Sequence, residues 1–308
     1  MKAPAKNIAA SIRDRLLKLS KLNHEEFSYT LMRYALERLL IRLASSKYRS
    51  SFVLKGAMLF RVWSPMAHRP TKDVDLLGTG SSEPVRLAEI FREISIISVD
   101  DDGLAFDENS VRATPIKEDA EYQGVRVNVT AHLGTARMEI QIDIGFGDAV
   151  TPIAIEIDYP TLLPSLSSPR LYAYPKETVI AEKFQAMVHL GIGNSRMKDF
   201  FDIWFLASNF EFDGEILARA IRATFERRKT SIPTTSPLAL TERFFYDDAK
   251  MKQWRAFVGK NSFLPTTTTL ETVVTAIAPF LVPPLEAIRA ERAFYAKWNA
   301  TGSWSIRE

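Results

Sequence analysis

The sequence predicts an α+β fold: a mixed β-sheet core flanked by helices, followed by a C-terminal helical portion. Three observations carry this expectation. In MEIQIDIGFGD, Ile140, Ile142 and Ile144 fall on one face of an extended chain and Glu139, Gln141 and Asp143 on the other, the period-two alternation of a half-buried strand. Upstream, SFVLKGAMLFRVW places Phe52, Val53 and Leu54 just before Gly56, which reads as a short strand passing into a helix from about Ala57. Downstream, Pro160, Pro164 and Pro169 with intervening serines mark a boundary, because proline disfavours the interiors of helices and sheets.

Taken in order, residues 7 to 45 carry helical periodicity, with Leu36, Leu39, Leu40 and Leu43 as the apolar stripe, and two helices divide near Lys21 to His24. The strand before Gly56 is followed by a second strand, Asp73 to Leu77, within HRPTKDVDLLGTG. Residues 83 to 94 read as a helix and Asp100 to Asp102 as a solvated turn. After the alternating MEIQIDIGFGD, Ile153, Ile155 and Ile157 repeat the pattern with Glu156 and Asp158 opposite. Residues 50 to 158 therefore read as the strand-rich core. Beyond the prolines, segments 175–190, 198–208, 213–228, 247–259, 269–281 and 284–298 all admit helices. The expected division is 1–165, N-terminal helices plus core, and 166–308, a helical domain. No internal repeat is present, which removes the solenoid and propeller architectures.

A chain of 308 residues with 46% hydrophobic content can bury a substantial core, in one large domain or two smaller ones. Forty basic against 37 acidic residues give a net charge of +3, which permits a nucleic-acid partner without establishing one. The absence of cysteine excludes disulfides, thiolate nucleophiles and cysteine zinc sites, leaving any metal to oxygen or histidine ligands. The four histidines, His24, His68, His132 and His189, show no ligand spacing and read as surface or packing residues. Lys6, Arg13, Asp14 and Arg15 interrupt the N-terminal segment, so it lacks the apolar run of a signal peptide, and no stretch approaches the roughly 18 consecutive apolar residues of a membrane span. The expectation is a soluble, cytoplasmic protein with no membrane partner.

The chemistry concentrates on acidic residues. On a strand, Asp73 and Asp75 share a face, about 6.5 Å apart along the chain. If that strand lies beside the one carrying Asp143, three carboxylates meet. Two such charges about 5 Å apart repel by roughly 1 to 3 kcal/mol, which calls for a cation. Mg²⁺, with Mn²⁺ as the alternative, fits hard oxygen ligands, and the third carboxylate either takes a proton or completes a two-metal site. An isolated D-x-D is more often a solvated pair, but Gly56, 17 residues upstream of Asp73, adds a place where backbone N–H groups can approach a phosphate. Gly56 and Ala57 are the contact points, with Lys55 beside them; a simple tight turn is the bland alternative. Lys183 sits about 60° from Ile180 on a helical wheel whose packed face holds Ile180, Phe184, Met187 and Val188, so its ammonium reaches either a cleft or solvent. In RMKDFFDIWFL, Lys198, Asp199 and Asp202 share a helical face, Asp202 being the favoured functional acid; a Lys198–Asp202 surface ion pair is the plain alternative. Arg69, just before the D-x-D, either touches a triphosphate or is solvated.

The order and spacing of FVLKGAMLF, HRPTKDVDLL, EIQIDIGFGD, YPKETVIAEKFQAMV and RMKDFFDIWFL, with RYALERLLIRLASS before and FFYDDAKMKQWRAFVGK after, resemble the AbiEii/AbiGii toxins, which include the MenT-type toxins. The likeness covers most of the chain and implies the DNA polymerase beta-type nucleotidyltransferase fold. It places the family's glycine-led phosphate motif on Gly56 and Ala57, its metal-binding carboxylates on Asp73 and Asp75, and the later strand carboxylate on Asp143. Its phosphate-contacting lysine falls on Lys183 and its later acidic motif on Asp199 and Asp202. Ala57 departs from the serine or glycine of broader nucleotidyltransferases, so phosphate contact there must use backbone N–H groups. The resemblance implies transfer of a nucleoside monophosphate from an NTP to RNA, a tRNA 3′ end in particular. It further implies a toxin neutralised by a cognate antitoxin, acting in abortive infection and phage defence. The competing readings are a metal-dependent phosphodiesterase or nuclease on the same carboxylates, and a catalytically silent relative that only binds a partner.

Overall fold

The computed structural model describes residues 7–64, 71–118, 122–261 and 264–306. The chain divides into two compact units, Met1–Gly147 with Ile155–Ala173, and Asp148–Ala154 with Tyr174–Glu308.

The first unit is built on a sheet. It opens with α1 (Ile8–Leu22) and α2 (Phe27–Ala44), parted where the sequence reading parts them. Asn7 caps α1 by accepting the Ala10 N–H at 3.0 Å, satisfying one of the donors a helix start leaves open. The leucine stripe of α2 is buried, and the helix packs against the sheet. There follow β1 (Phe52–Lys55), a 3₁₀ turn at Gly56–Leu59, α3 (Phe60–Trp63), β2 (Asp73–Gly78) and α4 (Pro84–Ser95). Next come β3 (Leu104–Glu118), β4 (Tyr122–Leu133), β5 (Ala136–Phe146), β6 (Ile155–Asp158) and β7 (Arg170–Ala173). The strands form one seven-stranded sheet in the order β3-β4-β5-β2-β1-β7-β6, with β2/β5 and β1/β7 parallel and the other pairs antiparallel.

The alternation in β5 is realised in full: Ile140, Ile142 and Ile144 are all fully buried. The repeat at Ile153, Ile155 and Ile157 is not. Only residues 155–158 form a strand, it lies at the sheet's edge, and Ile153 and Ile155 are 82% and 41% exposed. An edge strand pairs on one side alone, and here Ile157 is half-buried while Ile155 stays exposed. Three strands of this sheet, β3, β4 and β7, escaped the sequence reading. β3 buries Leu104 and Val111 but breaks register between Asp107 and Arg112, so its apolar positions keep no single period, whereas the four-residue β7 follows directly on the proline-serine stretch.

The reading of Asp100 to Asp102 as a solvated turn holds for the exposed Asp100 and Asp101 and is overturned at Asp102. Asp102 is 2% exposed and accepts from Arg38 Nε at 3.1 Å and from Arg42 Nη1 and Nη2 at 2.7 and 3.2 Å, while Asp100 accepts from Ser167. A run of three acids looks solvated in sequence because its arginine partners lie about sixty residues away on α2. Glu37, on the same helix, accepts the Leu162 N–H at 2.7 Å. Burial pushes its carboxyl up to about 6, against the downward pull of that N–H and of Arg38. A folded value above the unfolded one means that the protonated form is favoured by folding. The stabilisation is therefore complete below the ordinary 4.5 and lost as pH rises through about 6. Glu37→Gln should remove this dependence, so melting at pH 7.5 and 4.5 should show the variant gaining on the wild type by on the order of 2 kcal/mol at the higher pH.

The second unit is mainly helical: α5 (Lys176–Leu190), α6 (Met197–Asn209), β8 (Phe212–Asp213), α7 (Gly214–Arg227), α8 (Glu242–Phe245), α9 (Asp248–Gly259) and α10 (Leu270–Arg289), closed by β9 (Ala296–Asn299) and β10 (Ser303–Ile306). The last two strands join β8 in a small sheet ordered β10-β9-β8. The helices expected at 175–190, 198–208, 213–228 and 247–259 are present. The two expected at 269–281 and 284–298 are instead the single α10, which runs through Pro279, Pro283 and Pro284, and then a strand. Pro283 and Pro284 lack the N–H groups that would bond the carbonyls of Pro279 and Phe280. The Trp304 indole N–H takes up both carbonyls, at 3.1 and 3.3 Å, while its ring stacks on Phe280. By length and composition alone α10 is long and apolar enough to cross a membrane, but Val273, Val274, Ile277, Phe280 and Leu281 on its inward face are fully buried inside the unit.

Candidate active site

The geometry of the first unit's candidate site follows from strand register. Lys55 on β1 lies opposite Asp75 on β2, Asp75 lies beside Asp143 on β5, and Asp143 lies opposite Arg126 on β4. Directly paired residues of neighbouring strands share a face, so the sheet presents a row of cation, carboxylate, carboxylate and cation. Asp73, two residues from Asp75, is on the same face. All three aspartates are half-buried, and each offers an oxygen within 4.8 Å of the others'.

Arg126 grips Asp143 with both arms, Nε to Oδ1 at 2.8 Å and Nη2 to Oδ2 at 2.9 Å, and Gln141 Nε2 donates to Oδ2 at 3.0 Å. The Thr71 hydroxyl donates to Asp73 Oδ1. Part of the charge compensation expected from a metal is thus built into the row. Arg126 still leaves lone pairs on Asp143, since an ionised carboxylate offers about four acceptor sites. Three convergent hard oxygens fit a divalent cation of the Mg²⁺ type. Arg126 is the residue that sequence reasoning missed. Alternation along VRVNV marks it as facing away from the core, but only the register shows that it faces Asp143.

Gly56 is required twice over. Its φ is +76°, in the left-handed region, and a Cβ placed there would lie 1.9 Å from Asp75 Oδ2 and 2.8 Å from Asp75 Cβ. Gly56→Ala should therefore cost about 1 to 3 kcal/mol through backbone strain alone and also push the Asp75 carboxylate out of the row. The check is a lowered melting temperature together with lost activity. The helix expected from about Ala57 takes the form of a 3₁₀ turn at Gly56–Leu59 running into α3. After the 3₁₀ turn, α3 has four residues, so the corner offers backbone N–H groups with little macrodipole behind them. The Ala57 side chain is buried. Arg69 and His68 lie outside the described residues.

The remaining candidates belong to the second unit. Lys183 is 8% exposed, and its ammonium contacts Asp199 Oδ1 at 2.7 Å and Asp202 Oδ2 at 2.8 Å, both aspartates being fully buried. Arg196 Nε reaches Asp199 Oδ2 at 2.6 Å. Burial by itself would raise the Asp199 carboxyl, but Lys183 and then Arg196 outweigh it and hold the group below its ordinary value. The alternative of a Lys198–Asp202 surface pair fails: Lys198 is exposed on α6, and Asp202 turns inward to Lys183. A further buried group, unmarked in sequence, joins Arg228 to Asp148 at 3.1 Å, to Glu182 at 3.3 Å and to Gln185 Oε1 at 2.9 Å.

Comparison with solved structures finds JHP933 from Helicobacter pylori at 15% identity and TM-score 0.46, over 83% of this chain and 92% of that one. A second H. pylori crystal structure, with a provisional nucleotidyltransferase name, matches at 15% identity and TM-score 0.45 over 84% and 96%. No curated protein matches the chain. The profile of the family described as nucleotidyl transferase AbiEii toxin, type IV TA system, matches residues 38–278, a span that takes in the Gly56 corner, the three sheet carboxylates and the Lys183 cluster. The chain belongs to the AbiEii family of nucleotidyltransferase toxins.

Proposed function

We propose that this toxin nucleotidyltransferase transfers a nucleoside monophosphate from an NTP to an RNA acceptor, a tRNA 3′ end, in a Mg²⁺-dependent reaction. The observation that carries the reading is the in-register row of Asp75 and Asp143, joined by Asp73, beside the Gly56 corner. In this reading the acceptor hydroxyl oxygen attacks the α-phosphorus, the bond to the bridging oxygen of the β-phosphate breaks, and pyrophosphate leaves. The hydroxyl proton passes to a carboxylate or to water. Asp73, Asp75 and Asp143 would hold the divalent ion, which would supply charge neutralisation on the phosphoryl oxygens. The backbone N–H groups at Gly56 and Ala57 position the phosphates, with Lys55 as a nearby positive charge. In the second unit Lys183 and Asp199 are assigned to nucleotide binding and Asp202 to an acidic role, in line with the family resemblance, and the exposed Lys198 is a further candidate for nucleotide contact.

Blocking tRNA 3′ ends would stop translation, and a cognate antitoxin would restrain the toxin until infection, which fits abortive phage defence in the cytoplasm. The test is incubation of the purified chain with total RNA, Mg²⁺ or Mn²⁺, and each labelled NTP in turn. Label on intact RNA supports transfer. Shortened RNA supports hydrolysis instead, and growth inhibition that survives an Asp73→Ala/Asp75→Ala double change supports a silent binding protein.

A further inference from the structure

Beside the carboxylate row, the first unit contains a small niche whose charge the transfer reading does not use. It has a volume of about 30 Å³, and its walls include Tyr29, Arg33, Ala57, Arg61, Thr71 and Tyr159. Two of these residues are guanidinium groups and none is a carboxylate. Arg33 is paired, with both its hydrogen bonds going to Glu25, at 2.7 and 2.9 Å, and its guanidinium over the Tyr29 ring. Arg61 is half-buried, and among the described residues no hydrogen bond or ion pair reaches its guanidinium. Burial, and then the like charge of Arg33, pull its pKa down, the mark of a cation short of a partner. Burial also holds the Tyr159 phenol in its neutral form, a potential O–H donor. Leaving a partly buried charge unpaired is costly, and a second cation alongside adds to that cost.

We propose that Arg61, with Arg33 and Tyr159, forms a receptor for a single phosphoryl group, the terminal phosphate of the bound NTP; this rests on the nucleotidyl-transfer reading. A guanidinium fork matches the oxygens of a phosphate and meets them with charge-assisted hydrogen bonds. The niche is too small for a base or sugar and has room for one compact group. Its position selects which phosphate that is. Ala57 ties it to the Gly56 corner, and Thr71, whose hydroxyl donates to Asp73, ties it to the carboxylates. The α-phosphorus must lie at the metal-binding oxygens for transfer to occur, so a phosphate in the adjoining niche is at the far end of the chain. Arg61 would then hold the departing pyrophosphate and distinguish a triphosphate from shorter nucleotides.

The test compares wild type with Arg61→Gln and Arg61→Lys, using inorganic tripolyphosphate, the preferred NTP and its monophosphate as probes in Mg²⁺ buffer. Arg61→Gln should weaken binding of tripolyphosphate and NTP about tenfold or more and raise the KM for NTP similarly, with monophosphate binding unchanged. Arg61→Lys, which keeps the charge but loses the fork, should fall between them, and it decides the matter if the glutamine variant does not fold. Unchanged tripolyphosphate binding in a folded variant overturns the proposal. So does a variant whose RNA binding weakens while its NTP binding is preserved, since the niche would then serve the acceptor. If the wild type transfers no nucleotide from any NTP, the transfer reading fails by itself, and the tripolyphosphate comparison still decides whether the niche receives phosphate.

Discussion

Replacing Asp75 with asparagine is expected to lower nucleotide transfer by about 10³-fold while leaving the protein folded. Asp75 is the hinge of the site: it lies opposite Lys55, beside Asp143, and against the one residue, Gly56, with no side chain to obstruct it. Asparagine keeps the shape, so the contact with Gly56 survives. It removes one of the three oxygen sets that bind the ion and a charge that the reacting phosphates need opposite them; losing one such electrostatic contact typically costs 10²- to 10³-fold, and a metal ligand at least as much. Folding stability should change little, because relief of the repulsion between Asp75 and Asp143 offsets the attraction to Lys55 that is lost. Labelled monophosphate incorporation and a melting curve on the same preparation check both halves. An Asp75→Asn variant that transfers within tenfold of the wild-type rate would remove the carboxylate row from the reaction.

Lys183→Met is expected to show its largest effect in stability, about 3 to 5 kcal/mol in urea unfolding. Lys183 bridges two fully buried carboxylates, and deleting one partner of a buried ion group leaves uncompensated charge in the interior. Adding Asp202→Asn to that variant should recover part of the loss, a coupling that a surface lysine would not show. The pH dependence follows from Asp199. Its folded carboxyl lies below the unfolded value, so its contribution is present above the unfolded value and lost as pH falls through the folded one. In Lys183→Met that acid-side loss should shrink. If the variant instead keeps wild-type stability and only binds NTP more weakly, the lysine's role lies in contact with phosphates and not in charge balance inside the second unit.

Much of the first unit was readable without coordinates. The face of β5, the shared face of Asp73 and Asp75, and the split between α1 and α2 all follow from periods that a single segment displays. The misreadings share one cause. Asp102 looked solvated because Arg38 and Arg42 are remote in sequence, and the Pro283–Pro284 step looked like a helix end because Trp304 lies some twenty residues further on. β3 was missed because it is defined by its pairing with β4 and not by any pattern of its own.

The residues themselves dictated the inventory: three aspartates on strands, a glycine at a strand end, a lysine on the rim of an apolar helix face, and no cysteine. They also set the order of motifs that marks the family. Tertiary structure alone decided which of these meet. It put Asp143 rather than another outward residue of β5 next to Asp75, set Arg126 across from it, brought Arg33 and Arg61 to one niche, and turned Lys183 inward to Asp199 and Asp202. The physical reason is that a strand's period specifies a side chain's face and leaves its neighbour open. Neighbours are set by register and packing between segments far apart in the chain, where the free energy belongs to the pair.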